Sequence, residues 1–186
     1  MALKATIFKA GLHVTDMDRN YFHEHALTIA RHPSENDERM MVRVLAYALN
    51  AHEALVFGKG LSADDEPDLW QKDLTGAIEL WIDVGLPDEK RIRKACGRAA
   101  QVVVFSYGGR AAELWWAQAG SALERFRNLT VVNLPQPATR AVAGLVDLGE
   151  RNMQLQCLVQ EGHLWLSSGE DRVEVVPARL KSAATK

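Results

Sequence analysis

One carboxylate constrains this chain more than any other residue. Asp83 lies in the run Ala77-Ile78-Glu79-Leu80-Trp81-Ile82-Asp83-Val84-Gly85, which is otherwise rich in Ile, Leu, Trp and Val. Runs of that kind fill sheet interiors. An ionised carboxylate there is costly unless a cation or strong hydrogen bonds accept it. Upstream, Glu66-Pro67-Asp68 supplies a second carboxylate, 15 residues before Asp83, and that interval accommodates a turn and a returning strand. Two convergent carboxylates with oxygen-only ligands suit Mg²⁺ (or Mn²⁺) rather than Zn²⁺.

The patterning around this pair predicts an α/β chain. Residues 3–15 alternate and Asp16-Met17-Asp18 marks a turn. Tyr21, His23, His25, Leu27 and Ile29 then share one strand face, so the two segments read as a long antiparallel hairpin. A helix is expected from Pro33 or Ser34 to about Ala51, with Glu35, Asp37 and Glu38 in its first turns and Met41, Val44, Leu45 and Ala48 as its buried stripe. Leu55-Val56-Phe57 reads as a short strand entering the Gly58-Lys59-Gly60 loop, and residues 62–68 as an acidic connection. After the Asp83 strand, Pro87 suits the first position of a helix with Ile92, Ala95, Cys96 and Ala99 inward. A strand at 101–107, a short helix at 110–119 and a strand at 128–134 follow. This alternation implies a parallel crossover and a sheet with helical cover. Strands at 153–160, 163–167 and 173–176 close the chain, with 177–186 expected to fray. The expectation is one domain over residues 1–186.

Composition removes several classes. The 186 residues are 47% apolar and 25% charged, with a net charge of −2. That is an ordinary globular balance and no polycation, so a nucleic-acid surface would have to be a local basic patch. Cys96 and Cys157 are too distant for a CxxC motif and lie in apolar segments, as reduced core thiols do. Lys4 and Lys9 interrupt the apolar residues near the N-terminus, and no run has the length to span a bilayer. A cytoplasmic protein with no membrane partner is expected.

Several segments are specific in combination: Met1-Ala2-Leu3-Lys4-Ala5-Thr6-Ile7, Ala30-Arg31-His32-Pro33-Ser34-Glu35, Asp64-Asp65-Glu66-Pro67, Leu80-Trp81-Ile82 and Gly85-Leu86-Pro87-Asp88-Glu89. Over nearly its whole length the chain resembles the bacterial YaeQ family. The resemblance implies a restriction-endonuclease-like α-β roll, a mixed sheet with flanking helices and extra antiparallel strands at both termini. It also implies a variant PD-(D/E)xK nuclease site. Asp68 fits the Pro-Asp position and Asp83 the (D/E) position, as metal ligands. Gly85 stands where the motif's lysine belongs. A substitute cation is then sought on the next helix, among Lys90, Arg91, Arg93 and Lys94. Lys94 closes that family segment, whereas Arg91 lies nearest Asp83 along the chain. Glu38 matches the acidic residue many such nucleases carry on their first helix, and its alternative role is dipole compensation. Glu79 shares a strand face with Asp83 and is an auxiliary ligand or a strand-end residue in water.

Two functions follow. One is Mg²⁺-dependent phosphodiester hydrolysis on nucleic acid, with Asp68, Asp83 and Glu79 at the metal and Glu38, Arg91 and Lys94 assisting. The other is a non-catalytic module on the same fold that binds nucleic acid or protein, in transcription for example. A separate zinc site on the N-terminal hairpin requires His13 opposite His23, with His25 nearby.

Overall fold

Apolar and polar residues alternate from Thr6 to Arg31, and the expected hairpin forms: β1 (Thr6–Asp16) pairs antiparallel with β2 (Tyr21–Arg31). Phe8, Leu12, Val14, Leu27 and Ile29 all point inward, and a one-residue slip would expose every one of them. In that register Glu24 faces His13, and His23 faces Val14. Neighbouring residues on a strand project to opposite faces, so His13 and His23 lie on opposite sides of the hairpin. This corrects the zinc expectation. No three His, Cys, Asp or Glu side chains group as metal ligands among the described residues.

The computed structural model describes residues 4–59, 61, 63–147 and 149–185. Met1-Ala2-Leu3 of the N-terminal motif, Gly60 of the Gly58-Lys59-Gly60 loop, Ser62 of the acidic connection, Leu148 and Lys186 lie outside the described residues. Among those described, the chain forms two mixed sheets and four helices, divided between two compact units. No helix among them is long and apolar enough to cross a membrane.

The first unit comprises Met1–Ala51 and Pro137–Pro177. β8 (Asn152–Gln160) runs parallel to β1, and β9 (His163–Ser168) and β10 (Asp171–Val175) follow by hairpins. The strand order is β10-β9-β8-β1-β2. Helix α1 (Asp37–Leu49) begins later than expected, because the Asn36 side chain caps it by accepting from the Arg39 amide at 2.8 Å. Glu35 therefore precedes the helix. Its carboxylate is buried and receives Nε and Nη2 of Arg43 at 2.8 and 2.6 Å. The buried surface of α1 runs unbroken from Met40 to Ala48, wider than the predicted stripe. Helix α4 (Gln136–Ala143) was not expected. Pro135 precedes it and Pro137 lies in its first turn, where proline is tolerated.

The second unit comprises His52–Gln136 and Ala178–Lys186. It holds β3 (Leu55–Phe57), β4 (Leu69–Lys72), β5 (Ile78–Val84), β6 (Ala99–Ser106), β7 (Leu129–Asn133) and β11 (Ala178–Lys181), in the order β11-β7-β6-β5-β4-β3. β5, β6 and β7 are parallel, joined by α2 (Glu89–Arg98) and α3 (Arg110–Leu123), as the alternating pattern predicted. Trp81, Ile92, Val102, Val104, Leu129 and Val131 form the core under these helices. The tail expected to fray is instead ordered as β11 against β7. Lys181 is buried there, and its Nζ donates to the Phe126 carbonyl at 2.8 Å. Without that acceptor its charge would bar burial.

Candidate functional site

The site begins where β4 and β5 meet. Leu69 pairs with Ile82, so Asp68, one residue before β4, stands across from Asp83. Each residue is only 2% exposed. Asp68 Oδ2 accepts the Val84 amide at 2.8 Å, and the Asp68 carbonyl accepts the Gly58 amide at 2.9 Å. Gly85, where the resemblance would place a lysine, adopts a φ of 107°. Side-chain-bearing residues are strained in that conformation, so the backbone itself disfavours a lysine here.

The cation comes from α2. Asp88 is the N-cap, not Pro87 the first helical residue, because the Asp88 carboxylate can accept the Arg91 amide at 2.8 Å. Arg91 thereby sits in the first turn with its side chain over β5. Its Nε reaches Asp83 Oδ2 at 2.8 Å and its Nη2 reaches Oδ1 at 2.9 Å. The same guanidinium donates to the Glu66 carbonyl at 3.0 Å and the Asp64 carbonyl at 3.2 Å. The hydrogen bonds to Asp83 raise the Arg91 pKa, opposed by burial and reinforced by the charges of Asp83, Asp68 and Asp64. One turn along, Lys94 pairs with the Asp65 carboxylate, which its hydrogen bond and charge hold below the usual range. Arg98 donates to the Asp65 carbonyl at 2.8 Å and lies over the Trp81 ring, 5.2 Å from its centroid. Residues three and four apart share a helix face, so Arg91, Lys94 and Arg98 form one stripe holding the acidic segment 64–66.

The remaining candidates lie elsewhere. Glu79 is exposed and accepts from Gln71 Nε2 at 2.9 Å. It lies four residue steps from Asp83, about 13 Å along β5. Glu38 belongs to the other compact unit, where its Oε1 accepts from Thr139 Oγ1 at 2.8 Å. The fold thus brings together Asp68, Asp83 and Arg91, sets Lys94 beside Asp65, and does not bring Glu79 to the pair.

These residues do not fit a bound Mg²⁺ as they are arranged. A hard divalent ion needs carboxylate oxygens directed at it, yet both oxygens of Asp83 accept from one guanidinium. Arg91 supplies the cation that the buried carboxylate requires. Sequence reasoning missed the capture of residues 64–66 by α2. The signal was the spacing of Arg91, Lys94 and Arg98, which on an isolated helix resembles a solvated face.

Comparison with known proteins agrees with this architecture. The family described as YaeQ protein aligns with residues 1–177. The YaeQ protein of Escherichia coli strain K12 is 49% identical over 175 residues, covering 94% of this chain and 95% of that protein. The Salmonella typhi YaeQ protein has the same identity and coverage. The crystal structure of YaeQ from Xanthomonas axonopodis pv. citri superimposes with a TM-score of 0.91 at 47% identity, covering 97% of this chain and 99% of that one. The YaeQ structure from Pseudomonas syringae gives a TM-score of 0.88 at 33% identity, over 96% and 97% of the two chains. This chain belongs to the YaeQ family.

Proposed function

We propose that this protein is a non-catalytic module that binds a protein partner, built on a restriction-endonuclease-like framework. One observation carries the proposal: Arg91 takes both oxygens of Asp83, the residue at the motif's (D/E) position. Three α2 cations that would otherwise face a phosphate, Arg91, Lys94 and Arg98, are committed to the chain's own acidic segment. With a net charge of −2, the molecule offers little of the clustered positive charge on which nucleic-acid affinity depends.

A Mg²⁺- or Mn²⁺-dependent nuclease is the second reading, and it is favoured by Asp68 standing across paired strands from Asp83. It requires Arg91 to release Asp83. Incubating the purified protein with single- and double-stranded DNA and with RNA, plus Mg²⁺ or Mn²⁺, separates the two. The binding module predicts no hydrolysis beyond that of Asp83→Asn. Hydrolysis by the native protein that a folded Asp83→Asn variant lacks would establish the nuclease.

A further inference from the structure

The sheet of the first unit exposes one face, and its register aligns one polar residue from every strand. Arg172 lies opposite Ser167, Ser167 opposite Gln156, Gln156 beside His13, and His13 opposite Glu24. Strands are about 4.8 Å apart, so this transverse row is about 19 Å long. His13, Gln156 and Ser167 line two adjoining hollows of about 420 and 330 Å³. The hollows have a cause in the neighbouring rows. On one side Gly11 leaves room for Gln154, whose Oε1 would lie 2.6 Å from any Cβ at that position. On the other, Trp165 forms a wall, with the Arg172 guanidinium 5.4 Å from its ring centroid. Among the described residues, none of the five row side chains has a hydrogen-bonded or ion-paired partner. Arg91, Lys94 and Arg98 differ in this respect: each is engaged within its own unit.

We infer that this row is a docking groove for an extended segment of another protein, about six residues long, acidic at the Arg172 end and basic at the Glu24 end. The inference rests on the binding reading above and names its partner. Length agrees, since six extended residues span about 20 Å. The end charges are opposite, and Arg is suited to forked recognition of a carboxylate. Between them a hydroxyl, an amide and an imidazole both donate and accept, which matches the paired N–H and C=O groups of an extended backbone. A nucleic-acid strand fits poorly, because the row's single Arg is offset by Glu24 and few counterions would be released.

The test displays capped hexapeptides to the full-length protein, with Asp or Glu at one end and Lys or Arg at the other, in both orders. Like-charged hexapeptides and oligo(dT) serve as controls. One order of opposite charges should bind preferentially. Arg172→Glu should weaken it about tenfold, and the double variant Arg172→Glu/Glu24→Arg should select the opposite order. Both positions are exposed, so melting temperatures should stay at the parent value. No preference for opposite charges, or a preference unchanged by the double reversal, overturns the inference. So does oligo(dT) binding that Arg172→Glu abolishes, which would assign the groove to nucleic acid. The hydrolysis assay tests the binding reading separately, so the two failures are distinguishable.

Discussion

Arg91 grips Asp83 through two hydrogen bonds, Nε to Oδ2 at 2.8 Å and Nη2 to Oδ1 at 2.9 Å, while Asp83 keeps only 3% of its side chain exposed. Removing the guanidinium leaves a buried carboxylate without its cation. Arg91→Ala should cost about 3 kcal/mol, measured by urea unfolding. Asp83→Leu/Arg91→Leu should recover part of that loss, since it removes the stranded charge. A cost below about 1 kcal/mol for Arg91→Ala would show that solvent satisfies Asp83.

Two glycines should respond in opposite directions. A Cβ at Gly58 would collide with the Pro67 carbonyl oxygen, a backbone atom that cannot rotate away. Gly58→Ala should therefore destabilise by about 2 kcal/mol and disturb Asp68, whose carbonyl accepts the Gly58 amide. Gly97 is exposed within α2 and has open space around its Cβ position. Gly97→Ala should stabilise by about 0.5–1 kcal/mol. Chemical denaturation of both variants checks the contrast.

In the first unit, Glu35 and Arg43 form a pair with side chains only 1% and 5% exposed. Arg43→Met removes two hydrogen bonds from the carboxylate and leaves Arg39 Nη1, 3.0 Å from Glu35 Oε1, as its remaining cation. It should therefore cost about 3 kcal/mol, whereas Glu35→Leu/Arg43→Met should cost markedly less. A double-mutant cycle reads the difference, and additive losses would rule out this account.

Tyr47 donates or accepts at His25 Nδ1 over 2.9 Å, and burial, followed by the charge of Tyr21, raises its phenol from 10.0 to about 12. The folded state therefore holds this proton more tightly than the unfolded chain. Stability from this group is complete below pH 10 and declines as pH rises toward about 12. Tyr47→Phe should flatten that decline. Melting temperatures across the alkaline range for both proteins would show it, and parallel curves would contradict it.

Burial also raises both thiols, Cys157 to about 12 and Cys96 to about 11. The thiolate is the reactive form. Neither cysteine should titrate rapidly with a disulfide reagent at neutral pH until denaturant is added. Prompt labelling of the native protein would indicate that the thiols are accessible.

Much of the layout was legible from local pattern. Alternation between Thr6 and Arg31 predicted the hairpin, and the strand–helix succession after Ile78 predicted at least one parallel crossover, of which β5-β6-β7 holds two. Asp83 stood out because apolar neighbours made its charge anomalous. The helices start a few residues later than the prolines suggested, because the side chains of Asn36 and Asp88 cap them and only geometry shows which polar residue does so.

The chain's residues alone determined that a carboxylate would be buried in a central strand. They also determined the N-terminal hairpin and the strand–helix succession from Ile78 to Asn133, because those preferences act over a few neighbouring residues, whereas β4, α4 and β11 were not legible in the pattern. Tertiary structure decided that Arg91 answers Asp83, that Glu79 and Glu38 serve other partners, and that the tail adds a sixth strand to the second unit's sheet. It also decided that five strands set Arg172, Ser167, Gln156, His13 and Glu24 in one row. Such relations depend on strand register and on contacts between residues distant in sequence, and burial settles them across the whole sheet at once.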